Sequence, residues 1–123
     1  MNYDDFIKNY YEIFKRAMFF SIKAWRDGLL ALEDCIDAEK ADNRDIFEYG
    51  MRFVVDGTDP ELIDKILSNI INQEKDEYSK TLKIIQEEAV LSIQAGDNIR
   101  ILAAKLNSYT DLPFDEDSIL EGN

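Results

Sequence analysis

The residues that could do chemistry in this chain are its acids. Asp37, Glu39, Asp42 and Asp45 lie within nine positions of one another, close enough to raise a calcium loop. Such a loop places ligands at alternating positions, a glycine at the sixth and a bidentate glutamate at the twelfth. Counted from Asp37, the sixth position is Asp42 and the twelfth is Glu48. The glycine is missing, so a solvated linker is the better reading. The chain contains no histidine. That removes imidazole general bases, Glu-x-x-His di-iron sites and most zinc and haem sites. Paired carboxylates can work as general acid and base, but no nucleophile motif accompanies them, and exposed acids on helices mostly solubilise. Cys35 is the single cysteine. It has no internal disulfide partner, and with no signal-peptide pattern it points to a reducing, cytoplasmic setting. The expectation is no enzyme, no metal and no cofactor.

Charge narrows the partners. Among 123 residues, 26 acids outweigh 14 bases, for a formal charge of -12. Phosphate backbones and anionic lipid surfaces repel such a chain, so neither nucleic acid nor membrane insertion is expected. The apolar run 17–20 is flanked by Lys15, Arg16 and Lys23, and it falls far short of the roughly 20 residues a membrane span needs. Tyr3, Phe6, Tyr10, Tyr11, Phe14, Phe19, Phe20 and Trp25 could stack on unpaired bases. Their helical spacing and the acidic balance favour a core or a helix–helix interface. Tyr11 and Phe19 lie off the main stripe, and a helix apolar on two sides invites a partner or self-association.

The elements that would position these residues are helices. Tyr3, Phe6, Ile7, Tyr10, Ile13, Phe14, Ala17, Phe20 and Ala24 recur at steps of three and four, the period of an amphipathic helix. The pattern continues past Gly28 through Leu29, Leu30, Leu32, Cys35 and Ile36. Asp42 or Asn43 is a good N-cap for a second helix carrying Ile46, Phe47, Met51, Val54 and Val55. Gly57 suits the left-handed end of that helix. Pro60 fits the first turn of the next one after Asp59, and Thr58 with Glu61 has capping-box spacing. Residues 60–94 form either one helix of roughly 35 residues or two that part at 72–76, and the lack of a strong helix breaker there favours one. Gly96-Asp97-Asn98 ends that helix and caps a last one over 99–107. The fold expected is all-α, an elongated hairpin or bundle of about four helices. It forms a single domain over 1–107, followed by a flexible acidic tail over 108–123.

Three segments carry a resemblance. Ala24-Trp25-Arg26-Asp27-Gly28-Leu29-Leu30-Ala31-Leu32-Glu33 resembles the Ala-Arg-Arg-Glu-Gly-Leu-Leu-Ala-Leu-Glu signature of the flagellar stator A-subunit (MotA) family. Phe53-Val54-Val55-Asp56-Gly57-Thr58-Asp59-Pro60-Glu61-Leu62-Ile63 is similar to the second signature of the same cytoplasmic loop. Leu91-Ser92-Ile93-Gln94-Ala95-Gly96-Asp97-Asn98-Ile99-Arg100 resembles the segment after that family's last membrane helix. The three stand in family order and cover about residues 20–107. Only the polar stretch 72–76 separates the second from the third, where the family has two membrane helices, and a short amphipathic lead replaces the pair that precedes the first.

The family's proton path belongs to the membrane helices, so the resemblance implies the cytoplasmic part alone, without ion conduction. In the family that part meets the rotor's switch protein through charged side chains. The matching positions are Arg26 and Glu33, while Trp25 stands for the first arginine of the signature and Ile99 for a proline. Arg26 and Glu33 are seven apart, two turns on one helical face. The resemblance therefore implies a cytoplasmic protein, peripheral at the flagellar motor, that docks on the rotor switch protein or another stator or motor protein through Trp25, Arg26 and Glu33. It would be a membrane-free relative or two joined cytoplasmic segments. The alternative is a helical scaffold that self-assembles through the aromatic first helix.

Overall fold

A computed structural model describes residues 1–111, and within them the chain is all-helical. Helix α1 runs Tyr3–Asp27, and a 3-10 segment follows over Leu29–Cys35. Then come α2 (Ile46–Val55), α3 (Pro60–Ile71), α4 (Glu77–Ala95) and α5 (Ile99–Asn107). The expected all-α class holds, with five α-helices and a 3-10 segment among the described residues in place of about four helices. Most of the proposed tail, 112–123, lies outside the described residues.

Helix α4 is the hub of the bundle, packing against α1, α2, α3 and α5. Its buried side chains Leu82, Ile85, Ala89, Val90 and Ile93 therefore span more than one stripe, as a helix surrounded on several sides requires. Helix α1 lies between the 3-10 segment on one flank and α4 and α5 on others. Phe6, Tyr10, Phe14, Ala17, Met18 and Phe20 are all buried. The apolar excess of α1 is thus largely answered inside the chain: Phe20 meets Phe47 edge-on at 5.0 Å, and Phe6 stacks on Tyr78 at 5.0 Å. Phe19, off the main stripe, stays exposed.

Two boundaries differ from the sequence expectation. Residues 60–94 are not one helix: α3 stops at Ile71 and α4 starts at Glu77. Side chains make the break, because Glu74 accepts hydrogen bonds from the backbone N–H groups of Lys75 and Asp76 at 2.9 and 3.2 Å. Asp76 then caps α4 by accepting from Ser79 N–H at 2.9 Å. These bonds offer the backbone an alternative to the helical ladder. The second difference is at α2, whose N-cap is Asp45, accepting from Glu48 N–H at 3.0 Å. Asp42 instead binds Arg44, through its N–H at 2.9 Å and its guanidinium at 2.6 Å. That guanidinium holds the Asp42 carboxyl down at about 2. Losing a working N-cap costs about 1 kcal/mol. Asp45→Ala should therefore lower the urea midpoint clearly while Asp42→Ala leaves it near wild type, and the reverse order would restore Asp42 as the cap.

The segment after Gly28 also departs from a continued α-helix. Gly28 has φ +90° and receives the end of α1, its N–H donating to Ala24 C=O at 2.8 Å. A 3-10 helix has three residues per turn, so every third side chain eclipses. Leu29, Leu32 and Cys35 form the inner line against the core, and Leu30 and Glu33 form the outer one.

Candidate functional site

The three segments that carry the family resemblance come together at one end of the bundle. They sit at the C-terminal ends of α1, α2 and α4 and at the N-terminal ends of α3 and α5. Trp25 Nε1–H donates to the Asp97 carbonyl at 3.0 Å, joining the first segment to the third. Gln94 Nε2 donates to the Thr58 carbonyl at 2.7 Å, joining the third to the second.

The turn chemistry of these segments follows from their residues. Gly57 and Gly96 take positive φ, +79° and +76°, the left-handed conformation that lacks a Cβ penalty only in glycine. Pro60 occupies the first turn of α3 after Asp59, but neither Asp59 nor a Thr58–Glu61 box makes a side-chain cap. Asn98 caps α5, accepting from Ile101 N–H at 3.0 Å. The Asp97 carboxylate accepts from Lys105 Nζ at 2.6 Å and from Ser92 Oγ at 2.7 Å. Lys105 first, then Ser92, keep this carboxyl below its usual range. The Gly96-Asp97-Asn98 motif therefore locks the α4–α5 turn.

Trp25 is 64% exposed despite its hydrogen bond, and a hollow opens on each side of it. One, of about 410 Å³, is lined by Ser21, Ile22, Trp25, Arg26, Asn98 and Ile99. The other, of about 280 Å³, is lined by Ala24, Trp25, Leu29, Ile93, Gln94 and Gly96. Leu30, on the 3-10 segment five residues after Trp25, is 76% exposed. Arg26 turns back on its neighbour, with Nε and Nη2 donating to Asp27 Oδ2 at 3.1 and 3.0 Å. Glu33 pairs with Arg52 at 3.6 Å. Both residues remain well exposed, and Asp27 holds the Arg26 guanidinium above its usual value.

The expected shared helical face of Arg26 and Glu33 is not there. Gly28 ends α1 between them, so Arg26 stands on an α-helix and Glu33 on the 3-10 segment. Trp25 and Arg26 are adjacent on α1 and line one hollow together, while Glu33 sits with Leu30 on the outer line.

The acids of the linker are engaged locally. Asp37 Oδ1 accepts from Glu39 N–H at 3.0 Å, Asp42 is held by Arg44, and Asp45 caps α2. Among the described residues, no group of three or more acids, cysteines or histidines is placed to hold a metal ion. No helix there is long and apolar enough to cross a membrane.

A third hollow, of about 350 Å³, lies between α1 and α4 and includes Ile13, Arg16, Phe47, Leu82, Lys83 and Gln86. Beside it sits an ion pair that the sequence did not disclose, between the half-exposed Arg16 of α1 and the buried Glu48 of α2. The two are far apart in sequence, and Glu48 at the third position of α2 reads locally as an exposed first-turn acid.

Comparison with known protein families, with curated proteins and with solved structures finds no match to this chain.

Proposed function

We propose that the chain is a helical protein-binding domain related to the cytoplasmic part of the flagellar stator A-subunit, and that it docks on a motor protein, the rotor switch protein first, without conducting ions. The observation that carries this reading is convergence. Three segments that are separate in sequence and individually resemble cytoplasmic segments of the family, two from its loop and one from after its last membrane helix, meet at one end of the bundle. The same end presents Trp25, Arg26 and Leu30 to solvent. An exposed tryptophan flanked by apolar hollows and an arginine has the composition of an interface anchor. Exposed ion pairs such as those of Arg26 and Glu33 add little affinity, about 0–1 kcal/mol each, but they steer encounter and set register. That regime suits a contact that is made and broken repeatedly. The aromatic face proposed for self-assembly is mostly inside, with Phe6, Tyr10, Phe14 and Phe20 buried, which favours docking through the Trp25 end.

The test is a titration against the C-terminal domain of the rotor switch protein at two salt concentrations. Binding should weaken with salt, as surface charge contacts do. Trp25→Ala should weaken it by about tenfold or more, as truncating an interface tryptophan does. Arg26→Glu and Glu33→Lys should each weaken it severalfold with the helical circular dichroism unchanged. No binding at either salt concentration would overturn this reading.

A further inference from the structure

On the far flank of α4, one serine hydroxyl stands between two acids. Ser68 Oγ of α3 lies 3.1 Å from Asp64 Oδ1 and 3.2 Å from Glu87 Oε1 of α4. A serine hydroxyl has one proton to donate, and an ionised carboxylate only accepts. With both acids ionised, the one hydroxyl proton must be shared between two carboxylates that also repel each other. With one acid protonated, both become hydrogen bonds: the carboxylic O–H donates to Ser68 Oγ, and Ser68 O–H donates to the other carboxylate. Asp64 is exposed and Glu87 is partly buried against α3, so the proton belongs on Glu87, where burial penalises the charge more.

We propose that Asp64, Ser68 and Glu87 form a proton-dependent latch that fastens α3 to α4 and loosens when the proton leaves. The surroundings agree. The charged groups acting on Glu87 are Asp64 from α3 and Glu88 from its own helix, both acidic. Tyr109, after α5, donates to Glu88 Oε1 at 3.1 Å and leaves that side acidic or neutral. Burial first and Asp64 second push the Glu87 carboxyl up to about 7 from an ordinary 4.5, and they outweigh the Ser68 hydroxyl, which pulls it down when it donates to the ionised form. A carboxyl with a raised folded value favours the fold in its protonated form. Its contribution is complete below about 4.5, declines as pH rises toward 7, and is gone above that. Helix α3 is held otherwise by Ile63, Leu67 and Ile71, so loosening it uncovers an apolar face of the bundle near neutral pH.

Two measurements on the full chain test the latch. A carbon-detected NMR titration of the Glu87 carboxyl should give a midpoint near 7; a midpoint below about 5 overturns the proposal. Glu87→Gln keeps a donor for Ser68 and removes the charge. It should melt about 4 °C or more above wild type at pH 8 and close to wild type at pH 5. Amide exchange in α3, corrected for intrinsic rate, should quicken from pH 5 to pH 8 in wild type and not in Glu87→Gln. Ser68→Ala should lower the Glu87 midpoint's dependence on Asp64→Asn. A melting difference that does not change with pH, or α3 exchange with the same pH trend in both proteins, would sink the latch.

Discussion

Arg16→Met should cost the fold about 3 kcal/mol, and Glu48→Gln clearly less. The reason is an asymmetry of burial across the pair. The Glu48 side chain is 4% exposed and that of Arg16 is 41% exposed. Glu48 spends one oxygen on the Arg16 guanidinium and accepts Asp37 N–H at 3.0 Å with the other. Arg16 Nη2 also donates to the Cys35 carbonyl at 3.3 Å, and its guanidinium lies 4.8 Å above the Phe20 ring. One side chain thus ties α1 to α2 and to the end of the 3-10 segment. Removing Arg16 strands a buried carboxylate, the costly outcome for a desolvated pair. Removing the charge of Glu48 leaves a guanidinium that water can reach, and the glutamine still accepts from Asp37. The double variant Arg16→Met with Glu48→Met should recover part of the loss, since neither charge is left without its partner. Urea denaturation of the three variants measures this. Equal costs for the two single changes, or an Arg16 variant within about 0.5 kcal/mol of wild type, would place the pair among exposed ones.

How much of this was legible in the sequence depends on the range of each interaction. Gly57, Pro60, Gly96 and Asn98 act on backbone within a few residues, and their positions mark the C-terminal ends of α2 and α4 and the starts of α3 and α5. The stripe of α1 was equally clear, because a 3.6-residue period is a property of the chain alone. The break at 72–76 is the less favoured of the two sequence readings because no residue there is a strong helix breaker. It is made by Glu74 and Asp76 reaching adjacent backbone N–H groups, a competition that propensity does not weigh. Asp42 and Asp45 are the same residue type three apart with Arg44 between them, and only the fold shows that Arg44 binds Asp42 while Asp45 caps α2.

Among the site residues, Trp25 and Arg26 do line one surface, whereas Glu33 stands on a different element because Gly28 turns the chain. The joining of the three motif segments through Trp25–Asp97 and Gln94–Thr58 is tertiary and has no local signal. The same holds for the Arg16–Glu48 pair and for the Ser68 bridge. All of them join elements that pack around α4, which meets α1, α2, α3 and α5.

Gly50→Val should be the most damaging single addition of atoms, costing about 4 kcal/mol, and Gly50→Ala should still destabilise by about 1–2 kcal/mol. Gly50 lies in the middle of α2, where propensity alone predicts that alanine stabilises by about 1 kcal/mol. The packing opposes this. A Cβ built on Gly50 would stand 2.7 and 2.9 Å from the two γ-methyls of Val90 and 3.1 Å from Leu67 Cδ1. Val90 and Leu67 are both fully buried, and a valine in a helix has essentially one rotamer to offer. The clash can be relieved only by moving α2 away from α4. A methyl forces a shift of a few tenths of an ångström, while the branched valine side chain forces the helices apart and opens gaps beside Met51 and Ile85. Overpacking of this kind outweighs a propensity gain of about 1 kcal/mol. If the close approach is the cause, Val90→Ala should make room for the new methyl. The pair Gly50→Ala with Val90→Ala should then be less unstable than the sum of the two single changes, by about 1 kcal/mol. Strict additivity, or an alanine at position 50 that stabilises, would mean that α2 and α4 separate without cost. The tight seam at the centre of the bundle, which holds the Trp25 end together through α4, would then not be the constraint that Gly50 satisfies.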